Sequence, residues 1–331
     1  MSTPVVVTRS AYGAHPAQFV RVHTPTTTAS GALGCVVVVH GGFWKNKYTL
    51  DNAACGTLAP AIAATGRYVG VEVEYRRRDD AGGGWPGTCD DVVAAVRHAA
   101  GFERVDATRV VVIGHSAGGH AALCAAHALA AAHHHHHHRE QHRQGVGGSP
   151  VGVVVVPALT VAVAPVADLI AAHERRLSDE GDAAMRFLGG ATPDQAPDLY
   201  RAASPAHSML PMRAPCLIVT GLRDVDVPPD LTRDFARLAR RAAILHGDDD
   251  DGPAACKPDY LELEDADHYD LVDSASRSWS ILWERIQTLL RVEIPVVASF
   301  AGPSVDLDGA DDAASSVVDP PATKRHATGT R

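Results

Sequence analysis

The chain has 331 residues, of which 46% are hydrophobic and 21% charged, and a formal net charge of −9. That supplies apolar material for a large core within the size range of a single α/β domain, and excludes a low-hydrophobicity disordered chain. The excess acid sits around Asp248–Asp251 and Asp306–Asp312 with no basic stripe elsewhere, which argues against nucleic acid or an anionic membrane as partner.

Taken in chain order, strand-like runs recur with helical stretches between them. Phe19–His23 reads as an early strand and Cys35–His40 as a fully buried one. The Ala-rich segment Asp51–Thr65 reads as a helix closed by Gly66. Tyr68–Glu74 is the next strand. Arg76-Arg77-Arg78, followed at once by Asp79 and Asp80, reads as a solvated turn. Asp90–Phe102 opens on two acids, which favour a helix N-terminus. Val110–Ile113, Leu159–Ala164, Cys216–Thr220 and Tyr260–Leu263 read as strands, and Asp230–Ala243 and Ser276–Arg291 as helices. Continuous valine runs, rather than in/out alternation, are what strands covered on both faces require. The alternation of strand and helix predicts an α/β fold with a mostly parallel sheet.

Three segments fall outside that pattern. Residues 133–149 hold six consecutive histidines and then a polar, Gly-rich stretch; 248–258 is acidic and Pro-containing; 298–331 is rich in Asp, Ala, Ser, Pro and Thr. The first two read as low-complexity surface insertions in a single domain spanning 1–297, and the third as a disordered tail. The six cysteines form no C-x-x-C pair and several lie in apolar runs, as buried free thiols in a reducing compartment do. The N-terminal MSTPVVVTRS lacks a basic segment followed by an apolar one, and the apolar stretch Val151–Ala167 is interrupted by Pro157 and Pro165. A soluble, cytoplasmic protein is the resulting expectation.

The chemistry concentrates in RVVVIGHSAGGHAAL, residues 109–123. A buried strand stops at Gly114-His115-Ser116-Ala117-Gly118 and helix formers follow. G-x-S-x-G between a strand and a helix is the pattern of a nucleophilic serine on a tight turn, where only small neighbours fit. The helix N-terminus behind Ser116 adds positive partial charge near a developing anion. A Ser N-cap in a Gly-rich turn gives the same letters, so the partners decide.

A serine nucleophile needs a base, and the base an acid to orient it. Asp224 follows the strand Cys216–Thr220, and His268 follows Tyr260–Leu263. Both fall in loops at the carboxyl ends of strands, where open α/β sheets place their sites. Asp226 competes with Asp224 for the acid role, and His246 with His268 for the base. The tetrahedral intermediate also needs N–H donors. His40-Gly41-Gly42-Phe43-Trp44 ends the second strand, and its glycines let backbone N–H groups turn inward. The N–H groups of this loop are therefore candidate donors to the oxyanion. Trp44 and Trp85 could wall a substrate pocket, with a structural anchor as the other reading of Trp44.

HGGFW, GHSAGGH and DADHYDLVD together resemble the kynurenine formamidase branch of the α/β-hydrolases, near the hormone-sensitive-lipase-type esterases, from about Tyr12 to Trp283. The resemblance implies an α/β-hydrolase fold, with a mostly parallel central sheet, helices on both faces and a small cap around His173–Pro211. It implies Ser116 as nucleophile, Asp224 as acid and His268 as base, the N–H groups of Gly41, Gly42 or Phe43 with that of Ala117 as the oxyanion hole, and no metal or organic cofactor. The implied activity is arylformamidase hydrolysis of an N-formyl-kynurenine-like amide. A short-chain carboxylesterase is the alternative, and a catalytically silent hydrolase-fold binding protein the alternative of another class. The Gly82-Gly83-Gly84-Trp85-Pro86 loop is closer to bacterial hydrolases than to animal formamidases.

Overall fold

The valine run Leu33–Val39 is buried along its whole length, and the molecule is layered around it. In the computed structural model, which describes residues 3–26, 31–141, 155–246 and 254–292, eight strands form one sheet. They are β1 (Val5–Ala11), β2 (Phe19–Pro25), β3 (Leu33–Val39), β4 (Tyr68–Glu74), β5 (Val105–His115), β6 (Leu159–Val163), β7 (Cys216–Gly221) and β8 (Asp259–Leu263). Their order is β1-β2-β4-β3-β5-β6-β7-β8. β1–β2 and β2–β4 are antiparallel and all other pairs parallel. The seven strands expected from sequence are all present. β1 is additional: its residues are mostly exposed, so it lacks the buried run that marks β3 to β7.

Among the described residues, nine α-helices lie between and after the strands: α1 (Leu58–Ala63), α2 (Gly87–Ala100), α3 (Ala117–Gln141), α4 (Leu169–Glu174), α5 (Ala183–Phe187), α6 (Pro197–Ala203), α7 (Pro205–Ser208), α8 (Pro229–Leu245) and α9 (Arg277–Val292). The pleat sends successive side chains to opposite faces. Cys35, Val37 and Val39 pack with Val92 and Val96 of α2 and Leu129 of α3. Val36 and Val38 pack with Leu58 and Ile62 of α1 and Trp279 and Ile286 of α9. Each such valine contributes about 1.5–3 kcal/mol of burial. Helices therefore cover both faces, and the architecture is the α/β-hydrolase fold.

The short helices α4–α7 belong to the cap region. Leu169, Phe187 and Tyr200 pack there with Trp44, Ala117 and Val227, which follow β3, β5 and β7. The six-histidine run is not a loop: α3 continues through it to Gln141. Nor is the arginine triplet a solvated turn. Arg76 forms an ion pair with buried Asp91, Arg77 is buried against Glu74, and the Arg78 side chain is buried near Asp182. The remainder of the two expected insertions, 142–149 and 248–253, and the tail 298–331 lie outside the described residues. Cys35, Cys55, Cys89, Cys124 and Cys216 are buried and in no disulfide, and Cys256 is partly exposed. Among the described residues no helix is long and apolar enough to cross a membrane.

The sheet fixes where loops emerge. Val39 pairs with Gly114, His115 with Val163, Val163 with Val219, and Gly221 with Leu263. The carboxyl ends of β3, β5, β7 and β8 thus stand at one level, and the segments carrying Gly41, Ser116, Asp224 and His268 leave the sheet together.

Candidate active site

Ser116 follows β5 directly, is 1% exposed, and has a φ of 58°. The left-handed region costs a non-glycine residue about 1–3 kcal/mol unless its surroundings enforce it. Enforcement comes from both sides: the Ser116 N–H donates to the carbonyl of Val163 at 2.8 Å, and its own carbonyl accepts from the N–H of His120 at 3.1 Å. Small neighbours are a steric requirement. A Cβ on Gly118 would stand 2.3 Å from the Val39 carbonyl oxygen, and one on Gly41 would stand 2.9 Å from the Ser116 Cβ.

His268 and Asp224, both buried, meet through Nδ1 and Oδ2 at 2.7 Å. A carboxylate only accepts, so Nδ1 carries the hydrogen and Nε2 is left to face another group. The other oxygen of Asp224 accepts from the N–H groups of Asp226 and Val227 at 2.9 and 2.8 Å. That local turn fixes the carboxylate before His268 uses it. Asp226 instead lines the cavity described below, and His246 lies exposed at the end of α8.

Ser116 and His268 line one cavity of about 180 Å³, together with Gly41, Gly42, Phe43, Tyr48, Asn52, Asp226 and Tyr269. Gly42, Phe43 and Trp44 all have positive φ, of 113°, 49° and 54°. Among the described residues no hydrogen bond between turn or loop backbone groups uses the N–H of Gly42, Phe43 or Ala117. Trp44 and Trp85 do not line the cavity. Trp44 is buried and stacked on Phe187 at 4.1 Å between ring centres. Trp85 packs beside His120. The HGGFW turn sends Phe43 to the cavity and Trp44 into the core beneath the cap, so the aromatic walls are Phe43, Tyr48 and Tyr269.

Sequence reasoning passed over His115. It is buried, and its Nε2 donates to the backbone carbonyl of His268 at 2.9 Å. Burial, and then the nearby charge of His268, hold its pKa well below the usual histidine value. The x of G-x-S-x-G carries no such signal by itself. The cavity residues Tyr48, Asn52 and Tyr269 were also missed, for they sit in loops without periodicity.

Among the described residues, two clusters place metal-ligating atoms within 4.8 Å of one another: Cys89, His120 and Cys124, and Asp224, Asp226 and His268. In the second, His268 and Asp224 are bonded to each other. In the first, His120 Nε2 faces the Ala203 carbonyl at 2.9 Å, and burial pushes the Cys89 thiol well up, away from the thiolate a metal takes. The chemistry of that donor set suits a packed core.

The family model named BD-FAE matches residues 21–238. The chain belongs to the BD-FAE family. No curated protein matches it in sequence. Among solved structures, the fold is similar to a truncated carbohydrate esterase from gut microbiota, at 15% identity and a TM-score of 0.62, covering 88% of this chain and 97% of that one. Esterase B from Lactobacillus rhamnosis is 18% identical with a TM-score of 0.61, covering 88% and 89%. A carboxylesterase from Lactobacillus plantarum WCFS1 is 16% identical with a TM-score of 0.58, covering 86% and 98%. At these identities the likeness is one of fold.

Proposed function

We propose that this BD-FAE family member is a serine hydrolase that cleaves small carboxylic esters through an acyl-enzyme. The observation that carries the reading is the buried His268–Asp224 pair, 2.7 Å apart, opening on the cavity that holds Ser116. The esterase neighbours support ester over amide.

In the first step the Ser116 Oγ bonds to the ester carbonyl carbon while its proton passes to His268 Nε2. The carbonyl π pair moves to oxygen, where N–H groups of Gly42, Phe43 and Ala117 receive it. The intermediate collapses, the C–O bond to the leaving group breaks, and His268 Nε2 returns the proton to the departing alkoxide. Water then attacks the acyl-serine by the same route, giving the acid and free Ser116. Asp224 keeps the ring in the tautomer whose Nε2 can accept. Gly41 lets the loop lie against Ser116 and is structural in this scheme.

An arylformamide is the second reading, supported by the HGGFW, GHSAGGH and DADHYDLVD segments. A cavity of about 180 Å³ holds a formyl or short acyl group with room to spare. Rates on p-nitrophenyl acetate and on N-formyl-kynurenine, with Ser116→Ala as control, separate the two. A tributyrin phosphonate accompanies one esterase B structure, which recommends ester-mimicking phosphonates as probes. A wild-type protein that neither turns over esters or formamides nor labels with a fluorophosphonate would be a binding protein on a hydrolase fold.

A further inference from the structure

We propose that Glu74, acting through His40, is a positioning residue that aims the Gly42 N–H at the developing oxyanion. The inference rests on the serine-hydrolase reading above.

Glu74 is the last residue of β4 and is buried. An isolated buried carboxylate is costly, and this one is held by donors from three segments. Its Oε1 meets His40 Nε2 at 3.4 Å and accepts from Arg77 Nη1 at 3.0 Å; its Oε2 accepts from the Leu50 N–H at 3.0 Å. Burial alone would push its pKa up. The hydrogen bond and charge of His40, the charge of Arg77 and the Leu50 N–H outweigh that and hold it below the usual carboxylate value. Arg77 also donates to the Tyr48 carbonyl at 2.8 Å.

The consequence lies one residue beyond His40. Its Nδ1 donates to the Gly41 carbonyl at 2.8 Å. Tyr75 locks the same ring, stacking on it at 4.4 Å and donating from its hydroxyl to the His40 carbonyl at 2.8 Å. A trans peptide points its N–H opposite to its C=O. Pinning the Gly41 carbonyl on His40 therefore turns the Gly42 N–H the other way, and Gly42 lines the Ser116 cavity. The arrangement needs pinning, because Gly42, Phe43 and Trp44 all carry positive φ and relaxation of the two non-glycine residues would release strain. The Tyr48 ring completes the fixture: a Cβ on Gly42 would stand 2.6 Å from it. One carboxylate thus ties both cavity segments, 40–44 and 48–50, to the end of β4.

The test uses Glu74→Gln in the full chain, with p-nitrophenyl acetate as substrate and active sites counted by fluorophosphonate titration. An oxyanion donor acts only in the transition state, so kcat per active site should fall roughly tenfold to a hundredfold with KM within about twofold. Affinity for a trifluoromethyl ketone, which forms a tetrahedral oxyanion on Ser116, should fall by the same factor as kcat/KM. A packing role alone would lower the fraction of active sites and leave kcat per site unchanged, which overturns the proposal. So would a loss of kcat with undiminished ketone affinity. If Glu74→Gln does not fold, His40→Asn against His40→Ala decides: the Asn Nδ2 stands where His Nδ1 stood, so it should retain at least about tenfold more kcat than Ala, and equal rates overturn the proposal. If Ser116→Ala keeps wild-type turnover, the parent reading fails, an outcome distinct from all of these.

Discussion

His115 Nε2 donates to the backbone carbonyl of His268 at 2.9 Å, with the two rings tilted against each other at 4.4 Å. The residue before the proposed nucleophile thereby holds the loop of the proposed base. His115→Ala leaves that carbonyl without a donor and should lower kcat about tenfold to a hundredfold through misplacement of the imidazole. His115→Gln, whose amide can donate, should retain most of the rate. Turnover per titrated active site checks this, and equal losses in both variants would assign His115 to packing alone.

The burial of His115 also fixes a sign for stability against pH. Its folded pKa lies well below 6.5, while the unfolded residue takes up a proton below about 6.5. The unfolded state then binds more protons, so stability falls as pH drops from about 6.5 toward the lowered folded value. Urea midpoints of wild type and His115→Gln should diverge in the variant's favour as pH falls through this window, and run parallel above it. A gap that does not change with pH would show that the folded ring takes up its proton as readily as the unfolded one.

Asp224 and Asp226 are separable by substitution. Asp224→Asn keeps an oxygen for the N–H groups of Asp226 and Val227 but can present an NH2 to His268 Nδ1. The ring then favours the tautomer with hydrogen on Nε2, which cannot take the serine proton, and kcat should fall about 10⁴-fold. Asp226→Asn leaves the His268–Asp224 contact intact and should cost less than about tenfold. Steady-state kinetics on both variants suffice; the reverse ranking would make Asp226 the acid.

These residues show what the sequence discloses and what it withholds. Val36–Val39 and Val110–Ile113 are apolar without alternation, so burial on both faces is written in the letters. Ser116 and Asp224 each follow such a run, and His268 follows the shorter, half-buried strand Tyr260–Leu263, which places all three at one sheet edge. β1 was invisible because its exposed residues bury too little to leave a pattern. Trp44 was ambiguous because whether residue 43 or 44 enters the cavity depends on consecutive positive φ angles, a backbone property. Glu72 and Glu74 offered a signal that went unused: two carboxylates on one face of a buried strand require partners, and they have them in His23 and Arg21, and in His40 and Arg77.

Gly118 tests the steric logic of the serine turn. A Cβ there would stand 2.3 and 2.4 Å from the carbonyl oxygens of Val39 and His40, and neither is a flexible side-chain end that can swing away. Gly118→Ala must push α3 from β3 and should cost about 1–3 kcal/mol of stability as overpacking does. It should also lower kcat, since the displaced helix starts at Ala117. Chemical denaturation and turnover should fall together; wild-type stability would mean the turn is looser than these distances state.

Trp44 tests the division between core and cavity. It is buried, stacked on Phe187 and edge-on to His120 at 5.3 Å, whereas Tyr269 is half-exposed and lines the cavity. Trp44→Ala should therefore cost about 3–5 kcal/mol of stability, as for a large buried aromatic. Trp44→Phe should fold, with KM for p-nitrophenyl acetate within about twofold of wild type. Tyr269→Ala should do the opposite, leaving the denaturation midpoint nearly unchanged and raising KM severalfold. A raised KM in Trp44→Phe at wild-type stability would return Trp44 to the substrate and require a different wall for the site.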